Sequence, residues 1–148
     1  MKKLVLTGAA GRLGSYLREP LTKMCDELVS TDLIEDIGPL YKGETYIKAD
    51  LGALDQMEKV LDGADMVVHF GAIGDEAAWD AILHSNIIGA YNVWEAGTRK
   101  GVRRVIYASS IHAVGMYSKT QKIDTEVPHR PDTYYGLAKC FAEDLGSL

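Results

Sequence analysis

A chain of 148 residues is the length of one domain and can bury a core of its own. With 47% hydrophobic and 25% charged residues it reads as neither disordered nor fibrous, and a formal net charge of -5 without a Lys/Arg block argues against nucleic acid as a partner. Its apolar runs are too short to span a bilayer. Cys25 and Cys140 form neither a disulfide framework nor a metal-ligand spacing, which points to a reducing, cytoplasmic setting.

In chain order, Lys3–Thr7 is a short Leu/Val-rich run that reads as a buried strand. The apolar start resembles a signal peptide only briefly, because Gly8, Gly11 and Arg12 interrupt it. A helix is predicted over Arg12–Met24, with Leu13, Leu17 and Leu21 on one face; Pro20 inside it predicts a kink or an early stop. Glu27–Thr31 is a second strand ending in Asp32, and Glu44–Lys48 a third. The intervening Leu33–Gly43, with Gly38, Pro39 and Gly43, reads as a loop. Leu54–Leu61 is a short helix with Gly63 as its expected C-terminal cap, and Met66–Phe70 is a fourth strand. The longest helix is predicted from Glu76 to Lys100, where Trp79, Ile82, Leu83, Asn86, Ile87, Ala90, Val93 and Trp94 recur at helical spacing; Gly101 ends it. Arg104–Ala108 is a fifth strand. Ser109–Pro131 is a connection long enough to be functional, and Asp132 opens a last helix carrying Tyr135 and Lys139.

This alternation gives an α/β fold: a doubly wound parallel sheet of about five strands, a Rossmann fold, with residues 1–148 as one dinucleotide-binding domain. Ligands in such sheets sit beyond the carboxyl ends of the strands, where strand order reverses, so the residues after Thr7, Thr31, Phe70 and Ala108 are the candidates. Gly8, Gly11 and Gly14 leave the first strand and open a helix. The first permits a tight turn, the second lets backbone approach a phosphate, and the third lets helix and strand pack closely. Asp32, ending the second strand, can accept hydrogen bonds from both hydroxyls of an adenosine ribose and would repel a 2′-phosphate, which favours NAD over NADP. A lone aspartate there can equally cap a turn.

Tyr135 and Lys139 share one helix face. An ammonium beside a phenol favours the phenolate, so Tyr135 could take a hydroxyl proton while hydride leaves for the cofactor. Ser109 and Ser110 follow the fifth strand at the same rim, where a serine hydroxyl could donate to the reacting oxygen. Taken alone, the Tyr-Lys pair also describes two amphipathic side chains lying along a surface.

Together, Thr7-Gly8 with Gly11 and Gly14, Asp32, Asp50-Leu51, His69-Phe70-Gly71-Ala72, Asn86-Ile87-Ile88-Gly89, Ala108-Ser109-Ser110 and Tyr135-Gly136-Leu137-Ala138-Lys139 resemble the extended short-chain dehydrogenase/reductases, the NAD-dependent epimerase/dehydratase family. The resemblance covers the whole chain. It implies NAD held by Gly8, Ala10, Gly11, Arg12, Leu13, Gly14 and Asp32. Asp50 and Leu51 would flank the adenine, Phe70, Gly71 and Ala72 would line the trough, and Asn86 would support the site. It implies Ser110, rather than Ser109, as the catalytic serine with Tyr135 and Lys139. Tyr135 and Lys139 would also touch the cofactor.

Within the family, Asn86 to Asn92, Ala108 to His112 and Tyr135 to Phe141 look most like the uronate dehydrogenase branch, which oxidises the C1 hydroxyl of a cyclic hexuronic acid. That likeness implies that Ser110, His112 and Tyr135 touch a sugar. Two departures remove hydrogen-bonding groups: Ile111 stands where the branch has asparagine, and Gly74 where it has a serine. A different sugar acid or a nucleotide sugar is the alternative substrate. Extended members continue past Leu148 into a substrate-closing region, so the likeness implies a chain truncated before it. Three readings follow: a sugar dehydrogenase, a nucleotide-sugar epimerase or dehydratase, and an NAD-binding module without turnover. The family also pairs through the long helix and the Tyr-Lys helix, which implies a homo-oligomer. The four histidines show no metal spacing; His69 reads as a packed residue and His84 shows no chemistry.

Overall fold

A computed structural model describes every residue from Met1 to Leu148. Five parallel strands, β1 (Lys3–Thr7), β2 (Glu27–Asp32), β3 (Glu44–Lys48), β4 (Met66–His69) and β5 (Arg104–Tyr107), form one sheet in the order β3-β2-β1-β4-β5. The chain runs outward from β1 to β3 and then crosses back to lay β4 on the other side of β1. Strand order therefore reverses between β1 and β4, and the carboxyl ends of these strands diverge there.

The period-two alternation of the strands divides the core. Leu4, Leu6, Leu28 and Val68 point to one face, where Leu21 of α1 (Arg12–Thr22) covers them. Val5, Val29 and Val67 point to the other, packed by Met57 and Val60 of α2 (Leu54–Val60) and by Val93 and Ala96 of α4 (Gly89–Lys100). Burial on both faces explains why β1 reads as an unbroken apolar run. A third, smaller cluster joins Ile82 to Tyr135 and Ala138 of α5 (Tyr134–Leu145), with Ile73 and Ile87 against it. No helix is long and apolar enough to cross a membrane.

Several boundaries differ from expectation. α1 stops at Thr22, two residues past Pro20, whose missing N–H cannot bond back along the helix. α2 ends with Leu61 in a right-handed conformation, so Gly63 is not its cap; its φ of +71° serves the turn that follows. The long helix starts as α3 (Trp79–Ile82), not at Glu76, and passes through a π-helical segment, Leu83–Ile88, before α4. Gly101 does end it, at φ +70°, with Val102 N–H bonded back to the Gly97 carbonyl. Asp132 lies outside α5. Thr133 is the N-cap, its hydroxyl accepting from Gly136 N–H at 2.9 Å. Ser109–Pro131 contains one 3₁₀ turn, Ile111–Val114, and is pinned by Arg130 N–H to the Ala113 carbonyl and Met116 N–H to the Arg130 carbonyl.

Candidate functional site

At the switch point, Gly8 has φ +70°, and a Cβ on it would lie 2.7 Å from the backbone of Phe70 and Gly71. A Cβ on Gly14 would overlap the Gly8 carbonyl, so the start of α1 packs directly on the turn leaving β1. Gly11 is the N-cap of α1 and offers no side-chain oxygen, which leaves the first-turn N–H groups for solvent or a ligand. Asp32 closes the turn from the side: one oxygen accepts from Ala10 N–H at 2.9 Å and the other from Leu33 N–H at 2.7 Å. Both the turn-capping and the ligand-facing expectations for this carboxylate are compatible with that geometry, since each oxygen keeps a second acceptor position.

Above these turns lies a groove of about 520 Å³. Gly8, Ala10, Gly11, Asp32, Asp50, Leu51, Phe70, Gly71 and Ala72 all line it. Arg12 and Leu13 do not; they are exposed on the first turn of α1, and Gly14 is buried beneath it. Asn86 stands behind the wall, with its carboxamide bonded to both the N–H (2.8 Å) and the carbonyl (2.9 Å) of Ile73. Thr31 also lines the groove, and its buried hydroxyl oxygen has no protein partner. An orphaned hydroxyl, a bare helix start and a carboxylate in one trough suit a dinucleotide's ribose and phosphates.

Ile73 lines the groove and packs against the cluster of Ile82, Tyr135 and Ala138, so α5 lies next to this end of the groove. There Lys139, only 4% exposed, donates to the Ala108 carbonyl at 2.7 Å. Its Nζ lies 4.7 Å from the centre of the Tyr107 ring and 5.3 Å from that of Tyr135. Burial pushes the ammonium down to about 8. The His112 ring meets Tyr135 edge-on at 5.7 Å. Ser110 caps the 3₁₀ turn, its Oγ accepting from His112 N–H at 3.2 Å. Ser110, His112, Tyr135 and Lys139 thus share a neighbourhood, but Ser110 and Lys139 spend their bonds on backbone rather than on the Tyr135 hydroxyl. None of the four lines the groove itself.

Several supporting residues were not visible in the sequence pattern. Glu76 turns from the loop after β4 to accept from Tyr135 N–H at 2.8 Å and Tyr134 N–H at 3.3 Å, anchoring the start of α5. Asp132 accepts from His112 Nδ1 at 2.8 Å, and that bond holds its carboxyl below the usual range. Only Thr133, a threonine just before a helical run, had a readable signal. Leu33, Ile34, Ala49, Ala81, His84 and Ser85 complete the groove. His69 is buried, and burial pushes its imidazole down to about 3. Gly71 N–H donates to Thr7 Oγ1, which is hydrogen-bonded to His69 Nδ1 at 2.6 Å.

The model of the NAD dependent epimerase/dehydratase family matches residues 4–146. The chain belongs to that family. Among curated members it is similar to the uronate dehydrogenase of Pseudomonas putida, with 41% identity over 146 residues, 99% of this chain and 54% of that one. Among solved family structures it is similar to a glucuronic acid dehydrogenase from Chromohalobacter salexigens (TM-score 0.96, 42% identity, 99% of this chain and 55% of that one). It is also similar to a mutant uronate dehydrogenase from Agrobacterium tumefaciens complexed with NAD (TM-score 0.94, 40% identity, 98% and 54%). The chain spans about half the length of the curated relatives it matches.

Proposed function

We propose that the chain binds NAD in the groove and forms the cofactor-binding part of a dehydrogenase that oxidises C1 of a hexuronic acid. The observation that carries this reading is the groove lined by the glycine turn, Asp32 and Ile73, with Ile73 packed against the cluster that contains Tyr135, in a chain 41% identical to a uronate dehydrogenase. In this reading the first turn of α1, at Arg12, Leu13 and Gly14, faces the pyrophosphate, with Gly8, Ala10 and Gly11 beneath it. Asp32 takes the adenosine ribose hydroxyls, Asp50 and Leu51 flank the base, and Phe70, Gly71 and Ala72 floor the trough. Asn86 supports the floor through Ile73.

Bound NAD would supply the hydride acceptor. Tyr135 takes the proton of the sugar hydroxyl as the C–H bond breaks, and the carbon becomes the carbonyl of a lactone. The Lys139 cation beside the ring favours the phenolate, Ser110 donates to the reacting oxygen, and His112 contacts the sugar. Exposed Ile88 and Tyr91 on the long helix and Tyr134 and Leu137 on α5 support a homodimer through those helices; a monomer by light scattering would remove it.

Calorimetry with NAD, followed by incubation with NAD and glucuronate or galacturonate, tests the reading. Binding and accumulating NADH are expected. Isomerised UDP-sugar without NADH would instead make the chain an epimerase. Binding without turnover of any substrate would confine its function to holding the cofactor.

A further inference from the structure

Lys139 is a buried cation without a counter-ion. It is only 4% exposed and enters none of the molecule's ion pairs. Glu143, the acid one turn further along α5, is taken by the Ser109 hydroxyl and by His129 Nε2 at 3.0 Å. The ammonium donates to the Ala108 carbonyl at 2.7 Å, and that is its one hydrogen bond to the protein. A buried charge with a single neutral acceptor is costly, so another interaction must offset its desolvation.

Two ring faces meet it. Nζ stands 4.7 Å over the centre of the Tyr107 ring and 5.3 Å over that of Tyr135, where the negative face of an aromatic ring attracts a cation. Tyr135 lies on the same helix as the lysine. Tyr107 ends β5 and is braced by two other elements. Its ring packs on Trp94 of α4 at 5.4 Å, close to perpendicular, and on His69 of β4 at 5.6 Å, and those two rings meet each other at 5.8 Å. Burial keeps His69 neutral, so it does not repel the ammonium. Burial also raises the Tyr107 phenol, which therefore offers a neutral ring face and not a phenolate. The titratable groups around the contact are thus His69 from β4, Tyr107 from β5, and Tyr135, Cys140 and Glu143 from α5. The one carboxylate among them is spent on Ser109 and His129.

We infer that Tyr107 is a positioning residue for the proposed hydride chemistry: its braced ring face holds the Lys139 ammonium charged beside Tyr135. The consequence at Tyr135 rests on the proposed dehydrogenase reading; the contact between ring and cation does not. An electron-rich ring is required at this position, and its hydroxyl is not.

NMR titration of the Lys139 side chain in the full chain, with ¹³C-labelled lysine and Lys139→Met to assign the signal, tests the contact without substrate. Tyr107→Phe keeps the ring and should leave the titration midpoint within about 0.3 pH unit. Tyr107→Leu removes the face and should lower the proton affinity of Lys139 about tenfold, moving the midpoint down by about one pH unit. Replacing Tyr107 with 3,4,5-trifluorophenylalanine keeps the shape of phenylalanine but withdraws charge from the ring face, and should also lower the midpoint. That variant decides the matter if thermal unfolding shows that Tyr107→Leu does not fold. With NAD and glucuronate or galacturonate, kcat should fall about three- to tenfold in the leucine and trifluoro variants while KM stays within about twofold, and Tyr107→Phe should retain the rate. An unmoved midpoint in the trifluoro variant, equal losses in Tyr107→Phe and Tyr107→Leu, or a lowered midpoint with unchanged kcat overturns the inference. No NADH from the unaltered, folded chain overturns the dehydrogenase reading and the role in it, and the titration then decides the ring contact alone.

Discussion

The two ends of the groove are built by different means. Around Gly8 and Gly14 backbone packs on backbone with no room for an added Cβ, and the Asp32 carboxylate bonds only the backbone N–H groups of the same turns. Around Tyr135 each anchor is a side chain or carbonyl brought from elsewhere: Glu76 from the loop after β4, the Ala108 carbonyl from the end of β5, and Asp132 on His112. A site made of turns is held by the close packing of backbone on backbone that its small residues permit. A site made of anchors is only as rigid as the packing that delivers them.

The most severe test of this contrast lies under the glycine end. Arg18 is buried and bonds the Glu44 carboxylate at 2.7 and 3.1 Å and the carbonyls of Ile37 (2.7 Å) and Pro39 (2.8 Å), so one side chain holds the Leu33–Gly43 loop against α1. Arg18→Ala leaves Glu44 buried and unpaired and should cost about 3–5 kcal/mol in urea unfolding. A cost below about 1 kcal/mol would mean that the loop is held by other contacts. Burial opposes ionisation of Glu44, but Arg18, Ser30 and Tyr41 N–H outweigh it and lower its pKa. Its contribution is therefore complete above its unfolded value near 4.5 and is lost as pH falls through the lower folded value. Glu44→Gln should flatten that part of the stability–pH curve.

Next in size is Gly14→Ala. The new methyl must displace the Gly8 carbonyl, at about 1–3 kcal/mol of stability, and NAD affinity should fall with it. Gly74→Ala, where nothing lies within 4 Å, is the control and should stay within about 0.5 kcal/mol. Equal effects at the two positions would remove the distinction between turn and anchor.

At the other end, Glu76→Ala frees two N–H groups of the Tyr135 helix and should cost about 0.5–2 kcal/mol, with Glu76→Gln intermediate. If Glu76 positions Tyr135, kcat falls more than KM rises. A pure stability loss would leave both constants unchanged once the folded fraction is counted.

The smallest change in stability, and the one of opposite sign, belongs to Lys139. Burial lowers its pKa from 10.5 to about 8, so the folded state carries a penalty that is complete below pH 8 and is relieved between there and 10.5. Lys139→Met should leave the melting temperature unchanged or raised at neutral pH, and, under the proposed dehydrogenase reading, abolish NADH formation. A clear loss of stability would make the lysine structural.

Much of this protein is legible in its sequence because much of it is local. Short apolar runs alternating with helical stretches placed all five strands, and that alternation required parallel neighbours. Gly8, Gly11 and Gly14 marked the turn, which leaves no room for a Cβ at Gly8 and Gly14, and Asp32 marked the end of the strand beside it. The misplaced helix starts have a common cause: Glu76 and Asp132 suit a helix N-terminus by residue type, but tertiary contacts claim both carboxylates, one for the start of α5 and one for His112. Periodicity cannot distinguish the π-helical turn around His84 from an α-helical one, although that segment delivers the ring to Asp50. Sequence alone determined the sheet, the glycine turn and the chemical types at the rim, because each follows from the residues' own shape and hydropathy. Only the tertiary structure decided which polar groups meet, because Arg18 with Glu44, Glu76 with Tyr135 and His84 with Asp50 are joined across loops whose closure no local preference encodes.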